Sequence, residues 1–538
     1  MSGGERRIGV FGWGIVAPKS ANVEAFARNL ERSESWLTPF NGFGPDCFLV
    51  GRPDFDFSTY KPWIEARFPP NRFSQLVDKM DKPTQFAIGA FIQALGQNPG
   101  LEQELHDLGS AAHVYVGTGL GALDTIGQTH VHLYHAQRRW NRFWAQPERN
   151  ALLSDYLAQP ERFDPSVEVP VSPDEAGPEE VEVAEDRWWT FWTERSRELG
   201  EYLVELREIE SLAVHGPVET GKIAIIKEKQ RRRQRLQRKW GAPNPPWHEV
   251  SANLLWNIHN TPASQITMLG RITGLAFAPV AACATFGVTL KLAIDAIRRG
   301  EAKAVVIGAA DPPPLAATVG AFFGARVIAA DGQVSKPLTT LRGTHVSGGS
   351  AIWIVGDHEH MTARGFRPLG LEPVAVGVSS DADHIITPSK DGPVTAIRQA
   401  MAAAGVEASQ IGTWDLHATA TPGDFQEVQN LRDVLGENVL VTARKGTFGH
   451  GMGAAGGWEL TAQYLGFERG RIFPTPLGGA ELNDEIARVH HEFVYDTACP
   501  APRAWAGKLS MGVGGINACV LSRPWEPPAA PSPSEESR

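Results

Sequence analysis

Cys283 lies in Ala282-Cys-Ala-Thr-Phe-Gly287, between an apolar run and the first turn of an amphipathic helix. A thiol at a helix start meets the positive end of the macrodipole and unpaired N–H groups, which pull its pKa toward neutrality and make it a nucleophile; the same setting also houses inert core cysteines. Three further segments carry polar side chains among small residues. They are His417-Ala-Thr419-Ala-Thr421-Pro-Gly-Asp424-Phe-Gln-Glu427, Lys445-Gly-Thr-Phe-Gly-His450 with Glu459 downstream, and Ser510-Met511-Gly-Val513-Gly-Gly-Ile-Asn517. A cysteine can accept an acyl group from a thioester, being both a soft nucleophile and a good leaving group. Two imidazoles aimed at a thioester carbonyl can stabilise an enolate as its charge develops. Taken singly, each has a plainer reading: His417 as a satisfied core histidine, Lys445 as a surface lysine ahead of a turn, and the glycines before Asn517 as turn formers.

In this order the four segments resemble the motifs of the β-ketoacyl-acyl carrier protein synthases, condensing enzymes of the thiolase type. Asp381-Ala-Asp-His384-Ile-Ile-Thr387, Ser335-Lys-Pro-Leu338 and Ile411 to His417 extend the likeness over nearly the whole chain outside a central insertion and the tail. The resemblance implies an α/β, thiolase-like fold of duplicated halves in five layers (αβαβα). It implies acyl transfer from a carrier protein to Cys283, then decarboxylative Claisen condensation with malonyl-carrier to a β-ketoacyl thioester, in fatty acid or polyketide-type specialised metabolism. Carried over residue by residue, Cys283, His417, His450 and Lys445 are catalytic, and the backbone N–H groups of Cys283 and Val513 form the oxyanion hole. Thr419 and Thr421 hold the pantetheine arm, and Asp424, Glu427 and Glu459 support. The protein itself binds no cofactor; phosphopantetheine arrives on the acyl carrier protein. The family also implies a homodimer, with or without a related subunit. Two alternatives stay open: an acyltransferase of the same fold that hands the acyl group to an alcohol or amine, and a non-catalytic partner subunit that sets chain length. The sequence departs from the family pattern at Met511 and Val513, where phenylalanines are usual, at Phe286, where a small residue is usual, and at Ala418 and Ala420, which replace glycines. Phe286, Met511 and Val513 are therefore expected to shape the acyl pocket.

These side chains need strands that end in loops and helices that start beside them. Short β-branched runs at Ile8–Val16, 113–117, 304–308, 350–355 and 508–512 read as parallel strands buried on both faces, alternating with helical patterns at 82–95, 288–299, 394–404 and 455–467. The helix after Cys283 has Leu290, Ala293, Ile294 and Ile297 at helical spacing and stops at Arg298-Arg299-Gly300. Strands feeding small-residue loops at Val116–Gly121 and Trp414–Pro422 suggest an internal duplication. The expected organisation is an N-terminal half over 1–360 with the nucleophile, a C-terminal half over 361–525 with both histidines, and a disordered Pro/Ser/Glu-rich tail over 526–538. A Trp-rich helical subdomain, about 131–250, interrupts the first half. Its basic run, Lys227 to Lys239, reads either as a dock for an acidic carrier or as a solvated face paired with the acidic run 173–186.

The 538 residues carry a net charge of -10 and 42% hydrophobic residues, an ordinary globular composition without the basic field that nucleic acid requires. No apolar run is long enough to span a bilayer, and the polar start leading into a strand is unlike an export signal. Four cysteines without ligand spacing fit a reducing cytoplasm. His130, His132 and His135 lack a carboxylate or thiolate companion, so no metal is expected. Gly117, Gly119 and Gly121 miss the dinucleotide spacing.

Overall fold

All nine residues of Ile8–Val16 are buried, as a strand covered on both faces requires. They form β1 in a computed structural model that describes residues 6–44, 47–213, 218–387 and 389–525. The tail expected to be disordered, 526–538, lies outside the described residues. The chain divides into two compact units, one of Met1–Asp124 with Leu255–Arg538 and the other of Thr125–Leu254.

In the first unit, β1 is followed by α1 (Lys82–Leu95), β2 (Ala112–Gly117), α2 (Thr261–Gly270), β3 (Ala276–Phe277), α3 (Thr285–Arg299), β4 (Ala304–Asp311) and β5 (Gly349–Asp357). The same succession then repeats as β6 (Glu372–Ser380), α4 (Asp391–Ala404), β7 (Ile411–Asp415), α5 (Gly423–Leu435), β8 (Leu440–Thr442), α6 (Ala455–Glu468), β9 (Trp505–Gly512) and β10 (Ile516–Arg523). The strand orders are β1-β5-β4-β2-β3 and β6-β10-β9-β7-β8, so the two sheets have one topology. The duplication hinted at by the two small-residue loops is thus a repeat of whole α/β halves.

The sheets are mixed, which corrects the all-parallel expectation. β4·β2, β2·β3, β9·β7 and β7·β8 are parallel, whereas β1·β5, β5·β4, β6·β10 and β10·β9 are antiparallel. Unbroken apolar runs report burial on both faces, and here helices cover both faces of the antiparallel strands too.

α3 and α6 lie between the sheets. Every residue from Ala455 to Gly466 is buried, so α6 has no polar face. Phe286, Leu290 and Ile294 of α3 share one core with Trp353 of β5, Val376 of β6 and Trp458 of α6. α1 and α2 pack over the outer face of the first sheet, and α4 and α5 over that of the second, giving the five layers. Gly300 and Gly405 end α3 and α4 at φ 79° and 62°, the left-handed cap that glycine tolerates best.

The second unit is helical, with Leu123–Trp144, Ala151–Ala158, Val181–Glu194, Arg197–Glu210 and Val218–Trp240. Trp140 and Trp144 pack with Tyr202, Leu206 and Leu236, and Trp188 and Trp192 with Leu153. The unit begins and ends a few residues outside the expected 131–250. Its acidic run does not neutralise the basic one. Glu182, Glu185 and Asp186 surround Arg138 at 3.1, 2.7 and 2.6 Å. The basic run turns instead to Glu210, through Lys229 and Arg233, to Glu205, through Lys239, and to its own Glu228. Among the described residues no helix is long and apolar enough to cross a membrane.

Candidate active site

Cys283 sits in a single 3-10 turn, Ala282–Ala284, at the head of α3. Ala282 takes φ 47°, a conformation costly for a residue with a Cβ. The Thr285 hydroxyl holds the turn, accepting from the Ala281 N–H at 3.0 Å and donating to the Ala282 carbonyl at 2.7 Å. The β9–β10 turn presses against it at Gly512, where a Cβ would come within 2.8 Å of the Ala281 oxygen. This brings the Val513 N–H to the Cys283 sulfur, which the Cys283 N–H also faces. Burial nevertheless pushes the thiol up to about 11, against the pull of these amides and of Lys445. That corrects the expectation of a near-neutral pKa, because the lost hydration of the thiolate outweighs the helix-start field.

His417 follows the end of β7. Glu427 of α5 accepts the His417 and Ala418 N–H groups at 2.6 and 2.8 Å. Asp424 accepts those of Thr419, Ala420 and Leu338 at 2.8, 3.1 and 2.9 Å, so the two acids shape the loop. Burial raises Asp424 to about 6 and Glu427 to about 7, with the amide bonds opposing it. Ala420 sits at φ 59°, where the resemblance places glycine.

His450 precedes α6, and its N–H donates to the His345 carbonyl at 2.7 Å. Burial pushes His345 down to about 4. The His345 ring accepts the Ser335 N–H at Nε2 (2.8 Å) and donates from Nδ1 to the Leu49 carbonyl (3.0 Å). The His417 and His450 rings stand edge to face, centroids 5.3 Å apart at 81°. Burial, then the charge of Lys445, holds both well below the ordinary histidine pKa, hence neutral.

Lys445 is 2% exposed, which removes its surface reading. Its ammonium donates to the His417 carbonyl at 2.5 Å and to Glu459 at 2.6 Å, and lies 3.5 Å from His417 Nδ1.

Cys283, His417 and His450 face one cavity of about 310 Å³. Thr419 and Thr421, their hydroxyls 3.0 Å apart, line it with Met511 and Val513. Asp424 and Glu427 reach it, while Lys445 and Glu459 stand behind the histidines. Phe286 does not line it. The ring lies fully buried against Trp353 (5.2 Å, 85°), in space left by Gly457, where a Cβ would sit 2.6 Å from it. The expectation that Phe286 shapes the acyl pocket is corrected accordingly.

Sequence reasoning missed other members. Phe322, Val327 and Thr344 line the cavity from segments that carry no chemical motif. Asp311 accepts the N–H groups of Gly119, Leu120 and Gly453, each at 2.8 Å, tying the loop after β2 to the head of α6. Lys508, a lone charge in an apolar strand, lies 2.9 Å from Glu459; that oddity of pattern was its only signal.

Two family descriptions match in chain order: "Beta-ketoacyl synthase, N-terminal domain" over residues 227–358 and "Beta-ketoacyl synthase, C-terminal domain" over 372–477. The chain is 32% identical to a 3-oxoacyl-[acyl-carrier-protein] synthase 2 of Vibrio cholerae over 283 residues, 49% of this chain and 66% of that protein. It is 29% identical to Nodulation protein E of a Rhizobium species over 218 residues, 40% of this chain and 54% of that protein. It thus spans about half the length of the Nodulation protein E relatives it matches. The solved ishigamide ketosynthase/chain length factor superposes with TM-score 0.66 at 21% identity, covering 97% of this chain and 100% of that one. A complex of a type II PKS acyl-carrier protein with its ketosynthase bound to the hexaketide, AntDE:AntF, gives 0.64 at 17% identity, with the same coverage. At such identities the likeness to these ketosynthases is one of fold, the five-layered thiolase type. N-terminal and C-terminal β-ketoacyl synthase descriptions thus fall in chain order on a duplicated α/β core.

Proposed function

We propose that the chain is a β-ketoacyl synthase acting on carrier-bound thioesters. The observation that carries this reading is the meeting, in one small cavity, of a thiol faced by two backbone N–H groups with two neutral imidazoles. In the first half-reaction the Cys283 sulfur attacks the acyl thioester carbonyl, the oxyanion draws on the Cys283 and Val513 N–H groups, and the carrier thiol leaves with a proton. In the second, the malonyl carboxylate departs as CO2 and its electron pair becomes an enolate on the thioester, which His417 and His450 stabilise by hydrogen bonds. The enolate carbon attacks the acyl-cysteine carbonyl and expels the Cys283 thiolate, leaving a β-ketoacyl thioester on the carrier. Lys445 orients His417 through its carbonyl. Thr419 and Thr421 offer hydroxyls to the pantetheine amides, and Asp424, Glu427 and Glu459 hold the frame.

In this reading the half over 1–360 brings the nucleophile and the half over 361–525 brings both histidines. The partner is an acyl carrier protein, which supplies the phosphopantetheine; the carrier in the AntDE:AntF complex supports this. Exposed Leu275 and Val280 beside the edge strand β3 support pairing with a second copy. The paired chain length factor of the ishigamide structure is the precedent for a related subunit.

Intact-protein mass after incubation with a panel of acyl-carriers, combined with CO2 release from malonyl-carrier, tests the proposal. An acyl adduct on the native chain, none on Cys283→Ala, and CO2 release are the expected results. Acylation without CO2 release would favour transfer to an alcohol or amine. No adduct at all would favour the non-catalytic subunit.

A further inference from the structure

Lys508 is the charged residue of a strand, Trp505–Gly512, that runs through the middle of the second sheet, and it is 1% exposed. A cation there is costly unless it is paired and hydrogen-bonded. Its ammonium lies 2.9 Å from Glu459 Oε2, a close ion pair out of line for a hydrogen bond, and 3.9 Å from Asp415, its partner in register on β7. It donates to the Leu416 carbonyl, immediately before His417, at 3.3 Å, and to the Leu509 carbonyl. Asp415 also accepts from Arg444 at 2.9 Å and from the Thr442 hydroxyl at 2.8 Å. Beneath the imidazoles, three cations, Lys445, Lys508 and Arg444, therefore face two carboxylates, Glu459 and Asp415, none of the five more than 2% exposed.

We infer that Lys508 is a positioning residue for the histidine pair: anchored between Glu459 and Asp415, it fixes the backbone that carries His417 and supplies positive charge under both rings. This rests on the condensation reading and assigns Lys508 to its second half-reaction. The charged and titratable groups around the rings are Lys445 from the turn before His450, Arg444 beside it, Asp424 and Glu427 from α5, Glu459 from α6, Asp415 from β7, Lys508 from β9 and Cys283 from the head of α3. Among them Lys445 and Lys508 both lower the two histidines, after burial, whereas the ammonium that acts on Cys283 is Lys445. Removing Lys508 therefore lets the histidines protonate at higher pH and leaves the nucleophile as it was.

The test uses the full chain with Lys508→Met, Lys508→Arg and Lys508→Met/Asp415→Asn, the last removing one charge of each sign. Three quantities are followed against pH: the ring NMR signals of His417 and His450, CO2 release from malonyl-acyl carrier protein, and alkylation of Cys283 by iodoacetamide. In Lys508→Met the histidine midpoints and the acid limb of CO2 release should move up by about one pH unit, alkylation should be unchanged, and Lys508→Arg should restore the native profile. If Lys508→Met does not fold, the double variant is read for an upward shift of the same sign but smaller, because the lost Asp415 carboxylate offsets part of the lost ammonium. Unmoved histidine midpoints, failure of the arginine variant to restore them, or a parallel fall in alkylation and CO2 release would overturn the inference. A native chain that releases no CO2 would defeat the condensation reading instead, and the ring titration would still decide the role of Lys508.

Discussion

At the scale of single residues, Cys283 holds its proton more firmly than an exposed thiol, because the apolar enclosure that suits a water-free condensation also strips the thiolate of hydration. Acyl transfer then starts from the thiol, and charge has to be absorbed as the carbon–sulfur bond forms, at the Cys283 and Val513 amides. With the thiol pushed up to about 11, iodoacetamide alkylation of the native chain should climb about tenfold per pH unit from neutrality and level off only as the pH approaches that value. Mass spectrometry of the modified peptide checks this, and a plateau reached near pH 8 would show that the amides win over burial. Val513, 49% exposed at the cavity, leaves open what a larger ring would narrow. Val513→Phe should cut acylation by bulky acyl-carriers by about tenfold relative to acetyl-carrier; an equal effect on both would remove Val513 from the selection of chains.

At the scale of elements, loops are held by single buried side chains, and His345 shows the consequence for pH. Its ring ties the Ser335 N–H to the Leu49 carbonyl, and its own carbonyl receives the His450 N–H. Folded, it takes up a proton only near pH 4, against 6.5 for its ordinary value. The unfolded chain therefore binds more protons between these limits, so this share of stability is complete above pH 6.5 and is lost as pH falls toward 4. Between pH 7 and 5 the native chain should lose about 2 kcal/mol more than His345→Gln in urea unfolding; equal losses would mean the ring is not held neutral. None of this was legible in the sequence, where His345 sits in a Gly/Ser/Thr stretch. What was legible followed from type and period. Leu290, Ala293, Ile294 and Ile297 marked α3, and the Cys, His, Thr and Lys motifs marked residues that now share a cavity or stand directly behind it. Strand direction was hidden because burial on both faces erases alternation, and β6 carried no motif to draw attention. Lys508 and Asp415 were hidden for another reason: they meet only through strand register, 93 residues apart.

At the scale of the whole molecule, the repeated order of strands explains why the chemistry gathers where it does. Cys283 and His450 occupy matching places in the two halves, each just ahead of a central helix, and His417 follows β7 as Thr118–Gly121 follows the matching strand β2. The helical unit begins in that loop of the first half, where the second half needs only the short path from His417 to Gly423. An insertion at a loop lengthens the connection at modest entropic cost, provided the inserted segment has a core of its own. Thr125–Leu254 has one: Trp144 and Trp192 are 1% and 0% exposed, packed on partners drawn from the same unit. Expressed alone, residues 125–254 should therefore give a helical circular dichroism spectrum, a cooperative melt, and tryptophan emission that shifts to the red when denaturant is added. Exposed-tryptophan emission and a featureless melt from the excised segment would mean that its clusters form only when the rest of the chain is present.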